Sequence, residues 1–307
     1  MALFSLDRVV HRVLTIRTIP YGEWERPKTM KIIYYTTKQK IDGYIVKALK
    51  KLGHSVVEAD NLDFEPNCDL FLFRNTAVPT HSIPAFFEGL DKIAVKLQSI
   101  KCKKVMWFTD KVIGMGEDLL ENVIPLADKV FMNDDTWRRR HDYKNVYPLH
   151  LATGGFNQGK RKKEFECEVA FNGDISPAVF AEINATKKMF GPDFKLFNAE
   201  GKDFADLCAS AGILVYFRDF QDDFYWKDDI YEALANRAFV IFPRLHDMDL
   251  KDGEHYVGYG LITEMVDAIK WFMQHTQTKD EIMAKGQKYV LENCTYENRL
   301  KELLSKL

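Results

Sequence analysis

Long apolar runs are missing from this sequence: nothing in its 307 residues approaches the roughly 20 consecutive apolar positions that a membrane-crossing helix needs, so no membrane span is expected. Metal-type cysteine spacing is missing as well. Cys68, Cys102, Cys167, Cys208 and Cys294 are odd in number, far apart and without a CxxC pair, which excludes a zinc ribbon or a disulfide framework. Buried thiols in a reducing compartment are expected, hence a cytoplasmic location, that of the host if the chain is viral. The first segment lacks the uncharged core and small-residue cleavage site of a signal peptide, since Asp7, Arg8, Arg12 and Arg17 interrupt it. Residues 1–29 therefore read as an N-terminal extension packed on a domain surface. Internal repeats are absent too.

Net charge is small, at −2, which taken alone argues against a polyanionic partner. The total hides a split. Residues 1–165 hold 27 Lys+Arg against 20 Asp+Glu, a surplus of 7, and the remainder holds 16 against 25, a deficit of 9. Partners respond to the local field, so a basic half joined to an acidic half is informative. The length favours two domains of about 150 residues, and two domains imply a cleft.

What is present is alternation. A β-rich run at Lys31 to Tyr35 precedes Ile41, Tyr44, Ile45, Ala48, Leu49 and Leu52 at helical spacing; Gly53 stops that helix and His54 to Glu58 reads as a strand. Strands follow at Asp69 to Phe73, Lys104 to Phe108 and Lys129 to Met132, with helical segments between them. The run from Gly154 to Lys163 has no apolar period and reads as a linker. Beyond it come strands Cys167 to Phe171, Phe194 to Phe197, Ile213 to Phe217 and Phe239 to Phe242, with helices Ala178 to Phe190 and Asp228 to Ala235. Two long helical segments close the chain. The expected fold is α/β: two Rossmann-like, doubly wound parallel-sheet domains, 30–153 and 164–307, facing a cleft across the linker 154–163, with the last helix free to pack back on the first domain.

In such sheets ligands sit beyond the carboxyl ends of the strands. In the second half, Gly173 with Asp174 and Ser176 follows the first strand, where glycine permits close backbone approach to a diphosphate. The alternative is an ordinary turn with Asp174 or Ser176 as N-cap. Arg218 follows the third strand, and Lys227 precedes the helix carrying Tyr231 and Glu232. A carboxylate at Glu232 can accept two ribose hydroxyls; the alternative is a glutamate placed for the helix dipole.

The run Asp229-Ile230-Tyr231-Glu232-Ala233-Leu234-Ala235, then Asp252-Gly253-Glu254, a helix with Gly286, and Thr295-Tyr296-Glu297-Asn298-Arg299 resembles the C-terminal domain of CgeB-like GT-B glycosyltransferases. The likeness covers about 80 residues, extends up to the Phe171-Asn172-Gly173 loop and fades in residues 1–150. It implies transfer from a nucleotide-diphosphate sugar, most naturally a UDP-sugar, with Glu232 on the donor ribose and the Gly173 loop at the diphosphate. An arginine usual three positions before the glutamate is Asp229 here, which passes phosphate neutralisation to Arg218, Lys227 or Arg237. Asp110, after the strand ending at Phe108, matches an aromatic-x-x-Asp feature and is the expected base for an acceptor hydroxyl. A turn or N-cap aspartate is the alternative, and Asp134 and His150 are weaker candidates. Asp247-Met248-Asp249 has the DxD spelling, which admits magnesium, but no obligatory metal or cofactor is expected.

The basic half supplies the acceptor side. Lys38 and Lys40 follow the first strand, Arg138, Arg139 and Arg140 follow the fifth, and Lys101, Lys103, Lys104 and the run Lys160 to Lys163 add charge, with Trp107 and Trp137 nearby. Such a surface suits an anionic acceptor, and phage enzymes that glycosylate hydroxymethylated pyrimidines in DNA share the implied fold. The other readings are a glycan, lipid or protein acceptor, a nucleotide-sugar epimerase, and a non-catalytic binding module. The oligomeric state is not legible.

Overall fold

The computed structural model describes residues 29–35, 39–61, 63–65, 67–75, 92, 94–109, 123–133, 138–139, 142–218, 228–246 and 248–307. Its framework is two parallel sheets. The first orders its six strands β2-β1-β3-β4-β5-β6 and the second its five β11-β10-β9-β7-β8. Every strand pair in both sheets is parallel. Both sheets thus share one doubly wound order, in which the chain first moves outward and then crosses back past its starting strand.

In the first sheet, β1 (Lys31–Tyr35), β2 (Ser55–Ala59), β3 (Leu70–Asn75), β4 (Lys103–Phe108), β5 (Lys129–Met132) and β6 (Val146–Pro148) alternate their side chains between two cores. Ile32, Tyr34, Leu70, Leu72, Val105, Trp107 and Phe131 face α1 (Lys40–Lys51). Ile33, Phe71, Phe73, Met106, Phe108 and Met132 face Leu97, Ile100 and Val123 on the other side. Burial on both faces is what makes the inner strands β1, β3, β4 and β5 largely apolar runs, whereas the edge strand β2 is mostly exposed. α1 begins with a reciprocal capping box between Gln39 and Asp42 and ends on Lys50 and Lys51, followed by Gly53 at φ +91°.

The second sheet comprises β7 (Cys167–Asn172), β8 (Phe194–Phe197), β9 (Ala211–Val215), β10 (Val240–Pro243) and β11 (Val257–Tyr259). One face packs on α2 (Phe180–Phe190) and α5 (Ile262–Gln274) through Ile183, Met265, Ile269 and Phe272. The other packs on α3 (Gly201–Ser210), α4 (Asp229–Ala235) and α6 (Thr276–Asn293) through Phe204, Leu207, Ile230, Leu234 and Val290. Three helices, not two, close the chain: α6 lies between the two segments expected from the sequence, separated from α5 by His275. The last, α7 (Tyr296–Ser305), lies in the core of the first sheet: Tyr296, Leu300 and Leu303 pack with α1 and Trp107.

The chain therefore crosses between the halves twice, and the crossings touch. Thr153 and Thr295 form an isolated bridge, the Thr153 amide donates to the Cys294 carbonyl at 2.9 Å, and the Thr295 hydroxyl caps α7 by accepting from the Asn298 amide. The segment 154–163 is irregular but not loose. A Cβ on Gly159 would stand 2.0 Å from the Ala205 carbonyl oxygen, the Lys160 amide donates to Asp206, and the Lys162 amide to Ser210. Among the cysteines, the Cys68 and Cys102 sulfurs lie 2.6 Å apart at the starts of β3 and β4, a pairing that their sequence spacing conceals.

Candidate functional site

A shared strand order gives each half one switch point, between β1 and β3 in the first sheet and between β7 and β9 in the second, and a crevice opens beyond the strand ends there. On the first sheet the rim is a buried polar network. Arg74, at the end of β3 and 2% exposed, donates from Nε to Asp42 at 2.7 Å, from Nη1 to the Thr109 hydroxyl at 3.0 Å and from Nη2 to the Gln39 side chain at 3.0 Å. Asp42 also accepts from the Tyr34 hydroxyl at 2.6 Å and the Gln39 amide at 2.9 Å. Burial pushes the Asp42 carboxyl up, but its bonds to Arg74 and Tyr34 outweigh that and hold it below the usual aspartate value. Three strand ends and the first turn of α1 are fixed to one another by this guanidinium.

The consequence is the placement of Lys40, the first residue of α1. An ammonium at a helix N-terminus opposes the helix dipole and needs a carboxylate nearby. It finds one on the other half: Lys40 Nζ donates to Glu232 Oε2 at 2.7 Å. Burial works to lower the Lys40 pKa, and the Glu232 bond reverses this and raises it. Lys40, expected at the acceptor, thus stands on the residue expected to hold the donor. Glu232 sits in the first turns of α4 with Asp228 and Asp229, so three carboxylates share one short stretch. Burial, reinforced by the charges of Asp229 and Glu232, pushes the Asp228 carboxyl up to about 7. Tyr296 reaches the same place from α7, and its buried hydroxyl has no hydrogen-bond partner among the described residues.

The Gly173 loop is built by backbone conformation. Gly173 has φ +141°, its amide donates to the Phe197 carbonyl, and a Cβ there would meet only the Phe171 ring, at 3.5 Å. Asn172 exchanges hydrogen bonds with Ala199, and Asp174 accepts from Asn198 at 3.2 Å, which ties the loops after β7 and β8 together. Neither Asp174 nor Ser176 is an N-cap: α2 starts later, at Phe180, with Val179 as its cap residue. Arg218, after β9, donates to the Arg244 carbonyl at 3.2 Å and so lies between the loops following β9 and β10.

Several expectations change here. Tyr231 is fully buried and its hydroxyl donates to Asp249 at 2.6 Å, so it supports α4 from behind and offers no ligand surface. The Asp249 carboxylate is taken by Tyr231 and by Arg299, whose guanidinium also donates to the Leu151 carbonyl; this aspartate is a joint between the halves and no free metal ligand. Burial alone would raise its carboxyl, but the Arg299 charge holds it below the usual aspartate value. No group of three metal-ligating side chains is assembled among the described residues. Arg237 adopts φ +60° in the turn before β10, at the amino end of the sheet and remote from the crevice. Lys103 and Lys104 open β4, also at the amino end, and Trp107 is buried with its indole N–H on the Leu149 carbonyl. Lys162 is paired with Asp206 and Asp203. Arg138 and Arg139 come after β5 in the chain and are half-buried and exposed respectively. Lys38, Asp110, Asp134, Trp137, Arg140, Lys227 and Asp247 lie outside the described residues.

Arg74, Asp42, Asp228 and the pairing of Lys40 with Glu232 were not found by sequence reasoning. Arg74 was detectable as a charge closing an apolar strand, since a buried end position tolerates a guanidinium only when it is paired.

Residues 159–305 match a family model described as glycosyl transferase-like. No curated protein matches the sequence. Among solved structures, the chain is similar to HepE of Anabaena in complex with UDP-glucose, at 13% identity and TM-score 0.63, covering 91% of this chain and 100% of that one. It is similar also to an α-glucosyltransferase in complex with UDP-glucose and DNA containing an abasic site, at 11% identity and TM-score 0.60, covering 91% and 99%. An α1,3-fucosyltransferase aligns at 12% identity and TM-score 0.56, covering 91% and 90%. These likenesses agree with the two parallel-sheet halves described above. The family model thus covers the second half of the chain, and the whole chain shares the fold of these solved glycosyltransferases.

Proposed function

We propose that this protein transfers a sugar from a nucleotide-diphosphate donor, a UDP-sugar, to an acceptor hydroxyl, with the donor seated in the crevice of the second half. The observation that carries the reading is Glu232, a carboxylate at the opening of α4 that faces the other half across the cleft. A carboxylate so placed can accept both hydroxyls of a ribose. The Gly173 loop, with its open backbone, and Arg218 flank the diphosphate, since both stand at the carboxyl ends of β7 and β9. Solved relatives of the same architecture hold UDP-glucose, which supports the choice of donor. No metal is required of these residues.

On the acceptor side, Asp110 takes the proton from the attacking hydroxyl; Thr109, immediately before it, is held by Arg74. The acceptor reading is hydroxymethylated pyrimidine in DNA, supported by Arg138 and Arg139 after β5 and by the solved α-glucosyltransferase bound to DNA. Paired Lys162, the remote position of Lys103 and Lys104, and buried Trp107 narrow that surface to the rim of the first sheet.

A panel of nucleotide sugars read by thermal shift tests the donor, because a ligand at 100 times its dissociation constant stabilises by about 2.7 kcal/mol. One UDP-sugar is expected to give the largest shift, and Glu232→Ala to abolish it; an undiminished shift in the variant would overturn the ribose role. Incubating the wild type with that sugar and either hydroxymethylated or plain duplex DNA then tests the acceptor. Sugar on the modified DNA alone is expected. Free sugar released equally with and without DNA would remove the DNA acceptor, an epimerised nucleotide sugar would replace transfer by epimerisation, and no turnover in either arm would leave a binding module.

A further inference from the structure

The acidic opening of α4 poses an electrostatic problem. Asp228, Asp229 and Glu232 lie within five residues, yet the proposed ligand brings a diphosphate to the same crevice. Like charges at such separations repel by amounts that screening only partly removes. The cation that the described residues bring against this cluster is Lys40, and it comes from the other half of the molecule. Its position is imposed: Arg74, Asp42 and Gln39 lock the first turn of α1, so the root of the Lys40 side chain is fixed while its four-carbon stem and ammonium remain half exposed. The ammonium lies 5.6 Å from the Tyr44 ring centroid, and Tyr44 in turn stacks on Tyr296.

Lys40 occupies Oε2 of Glu232, one of the two oxygens that a bidentate ribose would use. A bound ribose therefore competes with the ammonium, and a displaced ammonium on a fixed root can swing only a few ångströms. From these constraints we infer that Lys40 is a donor-positioning residue: it leaves Glu232 when the ribose arrives and transfers its charge to the donor's diphosphate, so that one ion pair is exchanged for another across the cleft. This rests on the donor reading above and adds to it a second phosphate cation beside Arg218, supplied by the half opposite the donor domain. It also assigns a recognition consequence. A nucleoside without phosphates displaces Lys40 and gives it nothing in return, whereas a nucleoside diphosphate does both, so the ion pair discriminates the charged donor from the bare nucleoside.

The experiment is calorimetric titration of the full chain with UDP, with uridine followed by ligand-observed NMR, in wild type, Lys40→Met and Lys40→Arg. Lys40→Met is expected to weaken UDP at least tenfold while leaving uridine unchanged or tighter, and Lys40→Arg to restore most of the UDP affinity. Tighter binding of both ligands to Lys40→Met would make Lys40 a mere occupant of Glu232, and weaker binding of both by the same factor would make it structural; either overturns the inference. Circular dichroism and the thermal transition of each variant separate loss of folding from loss of binding. If the wild type itself binds no UDP, the donor reading fails first and the inference falls with it.

Discussion

Among the described residues, two ionic contacts join the halves of this molecule, and they differ chiefly in the exposure of the cation. Arg299, 10% exposed, and Asp249, 21% exposed, meet at the point where the chain crosses twice, with Tyr231 and the Leu151 carbonyl taking up further hydrogen-bonding capacity. Lys40 and Glu232 meet at the cleft, where the lysine is half exposed and each group keeps unused capacity toward solvent. A buried pair whose partners are fully engaged holds geometry, because losing either member strands a charge. A half-exposed pair contributes little and can be exchanged for a ligand at small cost. The comparison divides the molecule into a fixed joint and an exchangeable rim, and it explains why Tyr231 and Glu232, adjacent in sequence, belong to different sides of that division.

The largest effect should come from breaking the joint. Arg299→Met leaves the partly buried Asp249 with Tyr231 but without its cation, and about 3 kcal/mol of stability is expected to go; denaturant unfolding followed by fluorescence measures it. Crowding the strap should rank second. Gly159→Ala drives a methyl into the Ala205 carbonyl, and overpacking of this kind typically costs about 1–3 kcal/mol.

Asp228 gives a pH-dependent test of the rim. Its carboxyl is raised to about 7 by burial and by Asp229 and Glu232, so between the ordinary aspartate value and pH 7 the folded chain keeps a proton that the unfolded chain has lost. Stability therefore falls as pH rises through that window. Asp228→Asn is expected to raise the melting temperature at pH 8 and to change it little at pH 4.5; an equal gain at both values would contradict the assignment. Smallest of all should be the stability change in Lys40→Met, under about 1 kcal/mol for a half-exposed pair. A loss as large as that of Arg299→Met would erase the distinction between joint and rim.

Much of the fold was legible because its strands are buried on both faces. Runs such as Lys31 to Tyr35 and Lys129 to Met132 stand out as apolar blocks between amphipathic helices, and their alternation implies parallel order. The short strands at Val146–Pro148 and Val257–Tyr259 were not legible, since three residues carry no period. The helix Gly201–Ser210 was missed because its buried face includes Asp206 and Ser210, which anchor the strap at 160–162 and read as surface residues in sequence. The strap itself was read as a linker from its glycines, and Gly159 there serves close backbone contact with Ala205.

At the site, Glu232 and Gly173 were legible as a carboxylate opening a helix and a glycine ending a strand. Their surroundings were not, because each depends on a partner far away in the chain. Lys40 is 192 residues from Glu232, and Arg74 is 32 from Asp42. Tyr231 was misassigned because helix position alone does not separate the face toward the cleft from the face toward Asp249. Lysine clusters misled in a related way. Lys103 and Lys104 are dense in sequence, yet strand direction puts them at the amino end of the sheet.

The central claim is that the crevice at Glu232 is a nucleotide-sugar site. Isothermal titration of the full chain with UDP-glucose, repeated in the presence of saturating UDP and with Glu232→Ala, tests it directly. Saturable binding at one site per chain, abolished by UDP and lost in the variant, is the predicted result; saturable binding that Glu232→Ala leaves intact would contradict it.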